Sequence, residues 1–132
     1  MSNTGTPSPR TPETRGPASV SVLQTAARTR LVLAGDVDIS LNGTLNDAVE
    51  LIVQLGRPVE VDTADVTFMD SAVVAVLARL AYRLPDRLRM LRPPDLVRFL
   101  LDVTQLGEIV DIVDEDPALP DEPLTTHRPP AA

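Results

Sequence analysis

Five carboxylates and one hydroxyl stand where alternating strands and helices would gather them. Asp36 and Asp38 follow the apolar run Leu31-Val32-Leu33-Ala34, Asp62 and Asp65 follow Val59-Glu60-Val61, and Asp70-Ser71 opens a helical pattern. Hard oxygen ligands at strand ends can hold Mg²⁺. The same residue types satisfy free N–H groups at turns and helix starts, where they also complement the helix dipole. For Asp62 and Asp65 the structural reading is the stronger one. For Asp36, Asp38 and Asp70, which would cluster at one end of a sheet, both readings stay open.

Other chemistry lacks its reagents. The chain has no cysteine, all twelve basic residues are arginine, and the single histidine, His127, lies in a segment without apolar periodicity. Gly35, Gly43 and Gly56 are isolated, so no phosphate-cradling glycine loop is present. Neither a metal, nor a cofactor, nor an enzymatic activity is expected.

The elements that must position these residues follow from hydrophobic spacing. Ser19–Gln24 alternates, Arg28-Thr29-Arg30 is a polar turn, and Leu31–Ala34 closes at Gly35-Asp36, giving a hairpin or two adjacent strands. From Leu41 to Leu55 apolar residues recur at three and four, with Ser40 or Asn42 as cap, and Gly56-Arg57-Pro58 ends that helix. Val59–Asp62 is a strand with Val59 and Val61 facing one way, followed by a polar turn. A second helix runs from Asp70 or Ser71 to Leu84, a strand covers Arg87–Leu91 with Leu88 and Met90 inward, a third helix spans Leu96–Gln105, and Ile109–Val113 is a last strand. The order ββαβαβαβ describes an α/β fold with crossover helices on a mostly parallel sheet and an antiparallel first hairpin.

Composition sets the limits of the domain. Nine of the 13 prolines lie before residue 19 or after residue 113, so residues 1–18 and 114–132 are expected to be disordered tails flanking one domain at 19–113. The net charge of −7 divides into +1 on residues 1–18, −4 on 114–132 and −4 on the core. An acidic chain with 2% aromatic residues lacks the counter-charge and stacking groups of nucleic-acid binding. No run approaches the length of a membrane span and no signal peptide opens the chain, so a cytoplasmic protein is expected.

The second helix has two faces. Val73, Val76, Leu77, Leu80 and Leu84 suit the sheet, while Ala72, Ala75, Arg79, Tyr82, Arg83 and Asp86 lie opposite. The outer face is small near its start and arginine-rich beyond. That pattern suits protein docking, but from periodicity alone a solvated surface is the stronger reading.

With these residues in view, three segments in order resemble the STAS domain, in particular the bacterial anti-sigma factor antagonists. They are Leu31–Asp38 (LVLAGDVD), Val59–Val73 (VEVDTADVTFMDSAV) and Asp95–Ile112 (DLVRFLLDVTQLGEIVDI). The resemblance implies a STAS-like mixed sheet of about five strands with three helices. It further implies a regulatory protein-interaction module that binds an anti-sigma factor of histidine-kinase-like architecture in a partner-switching pathway, as a monomer or weak dimer. The partner-binding residues would be Asp36, Asp38, Asp70, Ser71, Ala72, Ala75, Arg79 and Arg83. The family's phospho-acceptor is a Ser or Thr where this chain has Ala72, so the usual switch is missing and Ser71 is the remaining route to one. The alternative is a nucleotide- or small-ligand-binding STAS module, or a subunit of a larger signalling or transport complex.

Overall fold

The computed structural model describes residues 18–25 and 27–115, and the backbone of 125–127. Most of the expected tails at 1–18 and 114–132 therefore lies outside the described residues. Within them the elements are β1 (Ser19–Gln24), β2 (Thr29–Val37), α1 (Asn42–Leu55), β3 (Val59–Met69), α2 (Ser71–Arg83), β4 (Leu88–Leu91), α3 (Asp95–Val103), β5 (Val110–Val113) and β6 (Thr125–His127). Short 3-10 turns at Ile39–Leu41 and Leu106–Glu108 lead into α1 and β5. No described helix is long and apolar enough to cross a membrane.

The sheet runs β5-β4-β3-β2-β1-β6. Pairs β2–β3, β3–β4 and β4–β5 are parallel, and β1 pairs antiparallel with both β2 and β6. Because β2 to β5 are laid down side by side in chain order, successive right-handed crossovers put all three helices on one face. The core agrees with this. It joins Val22, Leu31, Leu33, Val61, Leu88 and Met90 from alternating strand positions to Leu45, Ile52, Val76, Leu77, Leu80 and Leu101 from the helices. Those helical residues recur at three and four, which is why each helix buries one stripe.

Four local expectations are corrected. The region Thr63–Thr67, expected as a polar turn, continues β3 as far as Met69. It stays paired to β2 through register shifts between Val32 and Ala34 and between Gly35 and Asp36. Gly35, expected to close its strand, sits inside β2 at φ 77, a backbone angle that other residues adopt at a cost. Neither Ser40 nor Asn42 caps α1, whose N-cap is Leu41 with no side-chain bond, because the preceding 3-10 turn supplies the entry. At the far edge, β6 forms within the stretch expected to be irregular. The open side of β1 offers unpaired backbone groups, and Thr125-Thr126 are β-branched.

The face of the sheet away from the helices is built on charge. Arg30, Glu60 and Arg89 stand side by side on β2, β3 and β4. Glu60 is 1% exposed and accepts from Arg30 Nε (3.1 Å) and Nη2 (2.9 Å), Arg28 Nη1 (2.9 Å) and Arg89 Nη1 (3.2 Å). Two residues further along β3, Asp62 accepts from Arg92 Nη2 at 2.9 Å and from the Ala64 amide at 3.0 Å. Asp62 thus carries a structural role, as its position predicted; Asp65, on the same strand, is exposed.

Candidate docking site

Asp70 organises the end of the sheet where β2 and β3 finish. It precedes the first turn of α2 with extended backbone (φ −95°, ψ 174°), so its carboxylate reaches back to the free amides of that turn. Oδ1 accepts from the Val73 amide at 3.1 Å and caps α2. Oδ2 accepts from the Ile39 amide at 2.9 Å, 31 residues away in sequence, and the Asp70 amide donates to the Val37 carbonyl at 3.3 Å. One side chain therefore fastens the start of α2 to the loop that leads into α1.

Asp38 repeats the device on a smaller scale. Its Oδ1 accepts from the Ser40 amide at 2.9 Å and from the Ser40 hydroxyl at 2.5 Å, capping the 3-10 turn. Asp36 lies half-buried beside Phe68 near the end of β2. Asp36, Asp38 and Asp70 stand in the chain near where β2 and β3 finish, and backbone amides take up both oxygens of Asp70 and one of Asp38. Among the described residues no group of three or more His, Cys, Asp or Glu side chains could hold a metal ion.

Ser71, Ala75 and Arg79 are exposed along the outer side of α2, and Ala72 is half-buried. The hydroxyl of Ser71 makes no hydrogen bond among the described residues, which leaves it open to solvent at the helix start. Ile39, 65% exposed, stands on the adjoining loop. Together they form a small-residue platform with an apolar rim. Arg83 belongs elsewhere. It lies near the far end of α2, where its Nη1 and Nη2 donate to Glu50 of α1 at 2.6 and 3.3 Å. That hydrogen bond first, and the charge of the guanidinium second, hold the Glu50 carboxyl below its ordinary range.

Beside the platform runs a cleft of about 330 Å³. Ser71, Ala75, Ala78 and Tyr82 form one wall, and Gln105, Leu106 and Ile109 belong to the other. Of the first wall, Ala75 and Tyr82 (76% exposed) belong to the outer face read from the sequence, and Ala78 does not. The second wall was missed. It exists because Gln105 takes a left-handed backbone (φ 61) and swings the chain into the 3-10 turn at Leu106–Glu108. A glycine at 105 would have signalled that turn.

Comparison with known proteins gives these features a context. A family model described as "Mlab, STAS domain" matches residues 20–113. A search of curated proteins found no match. Among solved structures, an anti-sigma factor antagonist from Mycobacterium paratuberculosis superposes with TM-score 0.68 at 18% identity, covering 83% of this chain and 92% of that one. The anti-sigma factor antagonist SpoIIAA in its unphosphorylated form superposes with TM-score 0.62 at 17% identity, covering 74% of this chain and 90% of the other. The similarity establishes the fold, with the mixed sheet and three crossover helices that the sequence led us to expect.

Proposed function

Since the chain belongs to the STAS domain family, we propose that it is a regulatory protein-interaction module of the anti-sigma factor antagonist kind. It binds an anti-sigma factor through the start of α2 and the adjoining loop, and it turns over no substrate. Similar structures carry the name anti-sigma factor antagonist. The observation that carries the reading is the pair of hydrogen bonds accepted by Asp70, which ties an exposed, small-residue helix start to the Asp38–Leu41 loop. A surface already ordered before contact binds without the entropic cost of forming it. Ala72 and Ala75 let a partner's backbone come close, and Arg79 adds a cation at the edge.

The switch differs from the one the family resemblance implies. Position 72 offers no hydroxyl, so at the start of α2 a phosphate can enter only through Ser71. Neighbouring helical residues point about 100° apart, so a phosphate on Ser71 would be displaced from the usual place. A second reading keeps the surface and changes the use. Ala72 favours a constitutive role, either as a standing antagonist or as a subunit of a larger assembly, because a permanent contact has no need of a switch.

The test uses a purified anti-sigma factor with histidine-kinase-like architecture. Ala75→Glu inserts a charge into the interface and is expected to weaken binding by about ten-fold or more, while thermal stability stays near that of the parent. Undiminished affinity rules the surface out. Incubation with the kinase and ATP, followed by mass spectrometry, then reads Ser71. Phosphate there supports a displaced switch, and an unmodified chain supports the constitutive role.

A further inference from the structure

α3 carries more apolar surface than its place on the sheet requires. At about 100° per residue, Phe99, Val103, Leu96, Leu100, Val97 and Leu101 follow one another around about 200° of the helix. A helix lying on a sheet is served by an apolar stripe of roughly 100°. Val97 and Leu101 meet that need, at 1% and 3% exposed, with Leu100 packed beside them. The other half of the stripe faces outward. There Leu96 is 37% exposed, Val103 56% and Phe99 61%. Phe99 is one of only two phenylalanines in the chain, and aromatic residues are enriched at the centre of protein interfaces.

Charge beside the stripe selects what fits it. The last turn of α3 holds no basic residue. Asp102 stands there instead, next to Phe99 at i+3, where a carboxylate opposes the negative end of the helix dipole. Neither Asp102 nor Glu108 makes a side-chain hydrogen bond or ion pair among the described residues. Both border a cleft of about 320 Å³ that also includes Ile112, 41% exposed. The cations on this side are already engaged, Arg98 with Asp114 and Arg87 with Asp111. An apolar strip edged with uncompensated negative charge is complementary to an apolar strip edged with positive charge. A second copy of this chain would bring the same carboxylates to the contact. Anionic lipid headgroups and nucleic-acid phosphates carry the wrong sign as well.

We propose that the outer side of α3 is a docking surface in its own right, and that its occupant is a basic amphipathic helix of a partner protein. Leu96, Phe99 and Val103 receive the partner's apolar residues, and its cationic side chains lie over Asp102 and Glu108. The three apolar anchors are not among the residues assigned to the α2 site, so substitutions tell the two surfaces apart.

The probe is a synthetic peptide of about 15 residues, long enough to form a helix, with leucines at i, i+3, i+4 and i+7 spacing and lysines on both flanks. Titrated into the ¹⁵N-labelled full-length chain, it is expected to shift the amides of Leu96, Phe99, Asp102 and Val103 most, with Ser71 and Ala75 undisturbed. The same peptide with glutamate in place of each lysine is expected to bind about ten-fold more weakly or worse. Phe99→Ala is expected to weaken the lysine peptide about ten-fold, with little change in melting temperature because the ring is exposed. Asp102→Lys is expected to weaken it by a similar factor while holding or raising the melting temperature, since a cation suits that end of the helix. An Asp102 that served the fold alone would leave the affinity unchanged. No binding of the lysine peptide, equal binding of the two peptides, or shifts centred on the start of α2 overturns the proposal. So does a sedimentation mass that rises with concentration and returns to the monomer in Phe99→Ala, which gives the face to a second copy. Cosedimentation with phosphatidylglycerol vesicles that Phe99→Ala abolishes gives it to a membrane, and overturns the proposal as well.

Discussion

Two regions of this molecule carry carboxylates and arginines, and they use them in opposite ways. On the open face of the sheet, Glu60 is enclosed by three guanidinium groups and Asp62 is tied to Arg92, so the charges are spent on one another. At the start of α2, Asp70 spends its charge on backbone amides and leaves Ser71, Ala75 and Arg79 facing outward. The first arrangement holds strands together. The second holds a surface still while leaving it unoccupied. In the proposed docking site the charged residue is fixed to the backbone beside small exposed neighbours.

The comparison is broken most severely at Glu60. Glu60→Ala leaves Arg28, Arg30 and Arg89 without their shared carboxylate and is expected to cost about 3–5 kcal/mol. The measurement is a urea midpoint, which should fall with little change in slope. Affinity for the partner, measured well below the transition, should be unchanged, and a parallel loss of affinity would merge the two regions into one.

Asp70→Ala removes a helix cap and the tie to Ile39 together. A loss of about 1–2 kcal/mol is expected, in the upper range for a cap. Unlike Glu60→Ala, it should also weaken partner binding, because the helix start and the Asp38–Leu41 loop would then move apart. Calorimetric titration of the folded variant separates the two effects.

The smallest effect concerns Glu50 and Arg83. A carboxyl held below its ordinary value in the folded state stabilises the fold above the ordinary carboxylate range, and that contribution disappears as the pH falls through the lowered folded value. Arg83→Ala should bring the Glu50 titration, followed by carboxyl NMR, back towards its ordinary value. Stability at neutral pH should hardly move, because both side chains are well exposed to solvent.

Much of this arrangement could be read from the chain itself. The helices at 42–55, 71–83 and 95–103 announced themselves by apolar spacing, and Asp70 announced itself as a cap just before such a stretch. Features that depend on distant partners were harder to see. The second half of β3 reads as a turn because Thr63, Asp65 and Thr67 are polar, and only pairing to a bulged β2 makes it a strand. Glu60 shows nothing unusual until β2 and β4 bring three arginines to it. The second wall of the α2 cleft depends on a left-handed Gln105, whose side chain gives no local hint of that backbone. Arg83 faces outward by periodicity, but α1 supplies Glu50 from 33 residues away.

The most direct test is to titrate the ¹⁵N-labelled chain with the unlabelled anti-sigma factor and map the amide shifts. The account predicts that the largest changes fall on Ile39, Ser71, Ala72, Ala75 and Arg79, with the strand amides around Glu60 left in place. Changes centred on the sheet face or on the β5 edge, with the start of α2 undisturbed, would contradict it.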